Sequence, residues 1–359
     1  MHATMQYMLV YLTVFGVALA ASLIGTPVVR RLAYRWGVLD QPSHRKVHLT
    51  PTPLLGGLAV YAGFWLGVLM VSRFEVAAPE VFLPATTREL SAIFAGSLVL
   101  MLVGLADDKL GGLPPRAKLA GQLLAAGIAT WGGLQLHIFE LRLLDVPLTL
   151  LWIVGLSNAI NLLDNMDGLS AGATAIAAVF FFAIAAANGQ LLVGIMALAL
   201  AGACLGFLRY NFNPATVFMG DTGTLFMGFL LATIGIKLKA TGPAWWSFVL
   251  VVVILALPIF DTSLVTAYRL WKGRRLAQGG KDHTSHRLVR LGLPHREAVL
   301  VLYAASIVAG ILALLLARGG QSLGAVVAVP ALILALGAGL FLARVDTEAR
   351  PPPVVDQRK

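Results

Sequence analysis

Residues 190–208 read QLLVGIMALALAGACLGFL and contain no charged side chain. A run of this length and apolarity is typical of a helix that crosses a bilayer, because about 20 helical residues span the hydrocarbon core. Similar apolar blocks recur along the 359-residue chain, in which 58% of residues are hydrophobic and 12% carry a formal charge. A soluble domain would hold about twice that charged fraction. The sequence therefore predicts an all-α, polytopic integral membrane protein.

The apolar blocks predict about eleven transmembrane helices within a single catalytic domain, residues 1–343. The predicted spans are 7–29, 54–72, 90–106, 119–136, 147–163, 168–187, 190–208, 222–236, 244–260, 298–317 and 321–343. The first block lacks the basic n-region of a signal peptide, so we interpret it as a retained helix. The charged segment 344–359, with its three consecutive prolines, is predicted to be a disordered cytoplasmic tail.

The basic residues predict which side of the membrane each loop faces. Of the 27 Lys and Arg residues, 21 fall in one set of alternate loops and the other six in the opposite set. Because cytoplasmic loops are enriched in Lys and Arg, the N-terminus is predicted to lie outside and the C-terminus in the cytoplasm. This indicates an inner (plasma) membrane protein. The net charge of +10 then reflects topology and attraction to anionic lipid, and no nucleic-acid partner is expected.

Acidic residues concentrate where the predicted inward-facing helices meet the cytoplasm. The six aspartates at this boundary are Asp107, Asp108, Asp164, Asp167, Asp221 and Asp261. A carboxylate at a membrane boundary is costly unless it is paired or binds a cation. One such residue could be a solvated helix end, but six on one side indicate a cation site. Oxygen ligands favour Mg²⁺, with Mn²⁺ as a substitute.

Asp107 and Asp108 lie in ADDK, residues 106–109, at the end of the third predicted span. Neighbouring carboxylates on a helix point about 100° apart, so we expect one to meet a metal and the other a substrate. Glycines and prolines then break the helix, and Arg116 and Lys118 add positive charge suited to a phosphate.

Two further segments combine aspartate with asparagine. In NAINLLDNMDGLSAG, residues 158–172, Asp164 and Asp167 are three apart and would share a helix face. One asparagine could merely bond two helices together, but three beside two aspartates indicate a polar ligand pocket. In YNFNPATVFMGDTGTLFMGF, residues 210–229, Asp221 opens a predicted helix. It could be a simple N-cap, yet the exposed N–H groups there also bind phosphate oxygens.

Two basic loops also contain candidate site residues. Residues 39–57 contain Lys46 and His48 and could hold the phosphate of an anionic lipid. Residues 267–297 contain His283, His286 and Arg287. The two histidines lack the further ligands of a zinc site, so contact with a diphosphate or sugar is favoured over a zinc pair. The alternative is a solvated basic loop that only enforces topology.

The order and spacing of these motifs resemble the polyprenyl-phosphate N-acetylhexosamine-1-phosphate transferases, glycosyltransferase family 4. These membrane enzymes start the lipid intermediates of peptidoglycan, teichoic acid, O-antigen and arabinogalactan. The resemblance covers Asp40 to Arg296, and eleven spans with the N-terminus outside match the N-acetylglucosamine branch. The motifs that carry it are RKVH at 45–48, ADDK at 106–109, NLLDNMDG at 161–168, GDTGTLF at 220–226 and the last histidine-containing loop.

The resemblance implies that a UDP-sugar gives its sugar-1-phosphate to polyprenyl phosphate, with release of UMP and with Mg²⁺. Asp107 and Asp108 match the catalytic pair, one of which is proposed to activate the lipid phosphate. The implied metal ligands are Asp221 and Asp164. The resemblance implies that Asn161, Asp164 and Asp167 bind the nucleotide. The residues themselves add four predicted nucleotide- or sugar-binding side chains: Asn211, His283, His286 and Arg287. The resemblance implies that Lys46 and His48 bind the lipid phosphate, and the positive charge of Lys118 adds it as a third predicted lipid-phosphate-binding residue.

The last motif, DHTSHR at 282–287, differs from the three consecutive histidines of the peptidoglycan branch. It favours UDP-N-acetylglucosamine over the muramoyl-pentapeptide donor, which stays the alternative. An ion-coupled transporter is the rival from another class, but transporter sites lie near the bilayer midplane. A CDP-alcohol phosphotransferase is disfavoured because its motif is absent. The sequence leaves self-association into a homodimer open.

Overall fold

The computed structural model of the chain describes residues 2–41, 51–74, 81, 83–275 and 280–345. Most of these residues are helical. The helices are α1 (His2–Trp36), α2 (Gly56–Leu69), α3 (Pro84–Leu110), α4 (Pro115–Trp131), α5 (Arg142–Leu163), α6 (Leu169–Ala187), α7 (Leu191–Asn211), α8 (Gly220–Lys237), α9 (Ala244–Ile254), α10 (Ala256–Trp271), α11 (Thr284–Arg290) and α12 (His295–Ala343). A short 3₁₀ helix, Met70–Phe74, follows α2, and two short strands, β1 (Leu39–Asp40) and β2 (Thr52–Pro53), pair antiparallel.

Within the described residues, seven helices are long and apolar enough to cross a membrane, so the predicted all-α, polytopic membrane class is confirmed. Each predicted span overlaps a helix, although the span 119–136 extends beyond the end of α4 at Trp131. The span predicted at 244–260 is bent, because α9 and α10 meet at an angle of 75° around Leu255. The helix α12 is broken at Gly320, close to the predicted boundary between the last two spans. The number of spans and the orientation stay predictions.

The most buried helices are α7 and α8. Every residue from Thr222 to Gly235 in α8 is buried, so this helix lies in the centre of the bundle. It packs against α3 and α5, while α1, α2 and α6 pack around α7. A Cβ added at Gly104 of α3 would lie 2.4 Å from the carbonyl carbon of Asp221. The missing side chain therefore lets α3 touch the backbone at the start of α8.

The polar residues meet at one end of the bundle, where α3, α5 and α7 end and α4, α6 and α8 begin. Proline at the first position of α3 and α4 suits a helix start. Gly111, with φ of 73°, ends α3 in the left-handed conformation that glycine favours. Short turns thus place helix ends from distant parts of the chain side by side.

The hairpin β1–β2 is attached to the start of α8. The Phe218 N–H donates to the Pro53 carbonyl at 2.7 Å, and the Gly56 N–H donates to the Phe218 carbonyl at 3.0 Å. These bonds hold β2 and the start of α2 against the segment that leads into Asp221. Lys46 and His48 lie outside the described residues.

Candidate active site

Three carboxylates form the centre of the polar end: Asp107 and Asp108 from the last turns of α3 and Asp221 from the first turn of α8. One oxygen from each lies within 4.8 Å of the others. The structure thus brings together three of the predicted site residues, although Asp221 follows the adjacent pair by more than 110 residues in the sequence. Like charges so close together favour binding of a cation among them.

Asp108 holds the start of α8. Its Oδ1 accepts the Asp221 N–H at 2.9 Å, and its Oδ2 accepts the N–H of Thr222 at 3.0 Å and its hydroxyl at 2.6 Å. The first N–H groups of a helix have no partner within the helix, so this carboxylate satisfies them from another helix. Thr222 was missed by the sequence analysis, since nothing in the local pattern distinguishes it from other apolar-helix threonines.

Lys118, at the start of α4, supplies the positive charge of the cluster. Its ammonium donates to Asp221 Oδ2 and lies 3.4 Å from Asp107 Oδ1. That Asp107 oxygen also accepts the Leu113 N–H at 2.6 Å. In this structure Lys118 therefore balances two carboxylates, whereas its positive charge in the sequence predicted that it binds the lipid phosphate. Carboxylate oxygens that already surround one cationic group are a donor set that fits Mg²⁺.

Asn161 supports Asp221 from α5. Its side-chain amide donates to Asp221 Oδ1 and to the Thr224 hydroxyl, both at 2.8 Å. One helical turn earlier, Asn158 exchanges two hydrogen bonds with Gln122 of α4, at 2.8 and 3.1 Å. Sequence analysis missed Gln122, although a single amide in an apolar helix is a usable signal. These amides fix α4 and α5 around the carboxylates.

The prediction that Asp164 and Asp167 share a helix face is wrong, because α5 ends at Leu163 and a turn follows. Asp164 accepts the Ser170 hydroxyl at 2.5 Å, and burial raises the pKa of Asp164 to about 7. Asp167 accepts the Ala215 N–H at 2.9 Å and the Asn213 amide at 3.1 Å. Among the described residues the group suited to a metal is Asp107, Asp108 and Asp221, so the structure places Asp164 beside that group and not in it.

The side chain of Asn211 joins two backbone segments inside the protein. Its Oδ1 accepts the Gly168 N–H at 3.1 Å, and its Nδ2 donates to the Val217 carbonyl at 3.0 Å. The side chain is 2% exposed. Both polar ends are therefore used by the protein, which corrects the expectation that Asn211 contacts the nucleotide directly. It fixes the turn that carries Asp167.

Arg287 is fully buried. Its Nε and Nη1 donate to the carbonyls of Asp282 at 2.8 Å and Leu342 at 2.6 Å, and its guanidinium lies 4.4 Å from the centre of the Tyr268 ring. These contacts join α11 to the end of α12. Arg287 thus packs the loop, while its Nη2 has no hydrogen-bond partner among the described residues. Its contact with the nucleotide or sugar stays a prediction.

The two histidines of this loop lie near the turn after α5. The Ser285 hydroxyl donates to the side chain of Asn165, which lies between Asp164 and Asp167. The rings of His283 and His286 are 6.2 Å apart and tilted by 69°. Burial, together with nearby His283 and Lys281, lowers the pKa of His286 to about 4, so its ring is neutral at pH 7. The loop therefore reaches the polar end of the bundle.

Comparison with known proteins agrees with these motifs. A family model described as glycosyl transferase family 4 matches residues 90–239. A Bacillus subtilis protein named probable undecaprenyl-phosphate N-acetylglucosaminyl 1-phosphate transferase is 37% identical, over 84% of each chain. A Mycolicibacterium smegmatis decaprenyl-phosphate N-acetylglucosaminephosphotransferase is 34% identical, over 80% of this chain and 78% of its own. A Heliobacterium modesticaldum phospho-N-acetylmuramoyl-pentapeptide-transferase is 31% identical, over 81% and 91%.

Proposed function

Because the chain belongs to glycosyltransferase family 4, we propose that it transfers N-acetylglucosamine-1-phosphate from UDP-N-acetylglucosamine to a polyprenyl phosphate such as undecaprenyl phosphate. An oxygen of the lipid phosphate attacks the phosphorus next to the sugar, the bond to the second phosphate breaks, and UMP leaves. The product is a lipid-linked sugar diphosphate that starts a cell-envelope polysaccharide.

The observation that carries this proposal is the cluster of Asp107, Asp108 and Asp221 with Lys118 at the start of α8. Phosphoryl transfer needs mainly positioning of the phosphates and neutralisation of their charge. Asp221 and Asp107 would hold Mg²⁺, which when bound offsets the negative charge of the diphosphate. Lys118 lies close enough to these carboxylates to donate to a phosphate oxygen once they bind the metal.

The remaining residues divide between the two substrates. We assign Asn161, Asp164, Asp167, His283 and His286 to the side of the nucleotide and sugar, where the Ser285–Asn165 contact joins the loop to the turn. Lys46 and His48, outside the described residues, are proposed to hold the lipid phosphate. The active site then faces the cytoplasm, where UDP-sugars are made.

Of the adjacent pair, Asp107 is the better candidate for contact with the metal or the reacting phosphates, because Asp108 is engaged with the helix start. Direct attack by the lipid phosphate is the favoured route, since a positioned phosphate is an adequate nucleophile. The other route passes through an aspartyl-phosphate. Exchange of labelled UMP into UDP-sugar without lipid acceptor would support the covalent route, and a strict need for polyprenyl phosphate would support direct attack.

The second candidate is the muramoyl-pentapeptide transferase reaction, which the 31% identical relative favours. Donor choice is tested with purified protein, polyprenyl phosphate and separate UDP-N-acetylglucosamine, UDP-N-acetylgalactosamine and UDP-N-acetylmuramoyl-pentapeptide, with UMP release as the readout. We expect turnover with UDP-N-acetylglucosamine. Turnover with the pentapeptide donor alone would select the second candidate, and turnover with none would contradict the proposed reaction.

A further inference from the structure

The carboxylate of Asp261 in α10 is buried and has no part in the reaction as described. Its Oδ2 lies 2.8 Å from Nδ1 of His283, and its Oδ1 accepts the N–H of Thr284 at 2.7 Å. Asp261 is 1% exposed and His283 is 5% exposed. One carboxylate therefore fixes both the backbone and the ring at the point where α11 begins.

This contact determines which ring nitrogen of His283 carries a proton. A carboxylate that accepts hydrogen bonds at both oxygens acts as an ionised acceptor, so the nitrogen that faces it must be the donor. Nδ1 is that nitrogen. When the ring is neutral, Nε2 then has a free lone pair and can accept a hydrogen bond, because the partner of one ring nitrogen sets the role of the other.

The position of α11 indicates what Nε2 meets. Ser285, two residues after His283, bonds to Asn165 in the turn that carries Asp164 and Asp167. The His283 ring is thereby held on the side of the site assigned to the nucleotide and sugar. Sugar hydroxyl and amide N–H groups are the donors that a UDP-N-acetylhexosamine offers to such an acceptor.

The geometry points to Asp261 as a positioning residue: it holds His283 with Nδ1–H toward the protein so that Nε2 accepts a hydrogen bond from the UDP-sugar. This inference rests on the proposed function, which supplies the substrate. A second buried carboxylate, Asp282, anchors the same loop through two bonds of 2.8 Å to Arg269. Asp282 therefore provides a matched control: a buried carboxylate that anchors the loop through Arg269 rather than through the His283 ring.

The informative variant is Asp261→Asn. Its carbonyl oxygen can still accept the Thr284 N–H, but its amide donates to Nδ1 and so favours the opposite tautomer, with Nε2 protonated. We expect KM for the UDP-sugar to rise about tenfold, the lower end of the effect seen when a residue that orients a metal-binding histidine is replaced. KM for polyprenyl phosphate and the thermal midpoint should stay the same. Asp282→Asn should instead lower the thermal midpoint, because it leaves buried Arg269 without its carboxylate.

A double-mutant cycle separates positioning from packing. If Asp261 acts through His283, the Asp261→Asn change should add nothing to the KM of a His283→Ala variant. An unchanged KM in the single variant would overturn the inference. An equal rise in KM with and without His283 would overturn it as well.

The tautomer itself is measured without any substrate, by ¹⁵N NMR of histidine-labelled protein in lipid at a pH where the ring is neutral. The signal that disappears in His283→Ala should be the Nδ1–H form in the wild type and the Nε2–H form in Asp261→Asn. An Nε2–H ring in the wild type would overturn the pairing. The expected tautomer in a protein that turns over no UDP-sugar would support the pairing and contradict the proposed function instead.

Discussion

At the residue level, Asp107 and Asp108 are adjacent in sequence but have different partners. Asp108 satisfies N–H groups at the start of α8, whereas Asp107 contacts Lys118 and the turn after α3. Both nevertheless contribute an oxygen to the same cluster with Asp221. These contacts support a specific proposal for the predicted division of work: Asp108 positions the site, and Asp107 is available to the metal or the substrate.

The first prediction follows from this difference. Asp108→Asn replaces one acceptor oxygen by an amide, so it should lower the free energy of unfolding by about 1–3 kcal/mol as well as turnover. Asp107→Asn keeps the oxygen that accepts the Leu113 N–H, so it should lose turnover at wild-type stability. Thermal unfolding in detergent and UMP release measure the two effects. Equal losses of stability in both variants would contradict the assignment.

The second prediction concerns the metal. Chelation by EDTA should abolish UMP release, and Mg²⁺ or Mn²⁺ should restore it. Asp221→Asn should reduce turnover by at least about 100-fold, as expected when a charged ligand is lost, while Asn161 can still donate to the remaining side-chain oxygen. Asp145→Asn is the matched control, because this buried aspartate accepts two backbone N–H groups at the opposite end of α5. Full activity of Asp221→Asn in chelator would rule out the metal site.

At the level of elements, the start of α8 depends on close contact with α3 and with β2. The bonds from Phe218 and the absence of a side chain at Gly104 place Asp221 next to Asp108. The N-terminus of a helix is favourable for negative charge, so the same contacts that fix the carboxylates also prepare the position for phosphate groups.

The third prediction tests this contact. A methyl group at Gly104 would lie 2.4 Å from the backbone of Asp221, and overpacking of this kind costs about 1–3 kcal/mol. Gly104→Ala should therefore separate α3 from α8 and reduce turnover at least about tenfold. Gly127→Ala in α4 is the control, since a Cβ there meets nothing within 4 Å. If both variants keep wild-type activity, the α3–α8 contact does not position Asp221.

At the level of the whole molecule, alternating helices bring the site residues to one end of the bundle. The opposite end has different chemistry: Lys237 pairs with Glu89 at 2.7 Å, and Arg88 donates to the Trp131 carbonyl. If the distribution of Lys and Arg predicts sidedness correctly, the end with Asp221 faces the cytoplasm and the end with Glu89 faces outside.

The fourth prediction tests that orientation. Cysteines at Thr87 and Lys272, both exposed and at opposite ends, should react with an impermeant maleimide from opposite faces. Thr87→Cys should label in intact cells, and Lys272→Cys only after the membrane is opened. The native Cys204 is buried and should give little background. Labelling of both positions in intact cells would overturn the predicted topology.

The sequence alone predicts the membrane class, the location of the helices and the motifs that contain Asp107, Asp108 and Asp221. These features depend on local properties: runs of apolar residues need the bilayer as solvent, and a charged residue at the end of such a run needs a partner or a cation. The family resemblance depends on the same local motifs, which is why it could be stated from residues 40–296 without any structure.

Only the tertiary structure decides how those residues are used. The partners of Asp108 lie 113 and 114 residues away, and no local pattern reveals that this carboxylate holds the start of α8. The same applies to Asn211, whose side-chain oxygen and nitrogen both bond to backbone atoms of other segments. A polar side chain in an apolar chain must be satisfied, but whether the protein or a ligand satisfies it depends on long-range packing that the sequence does not display.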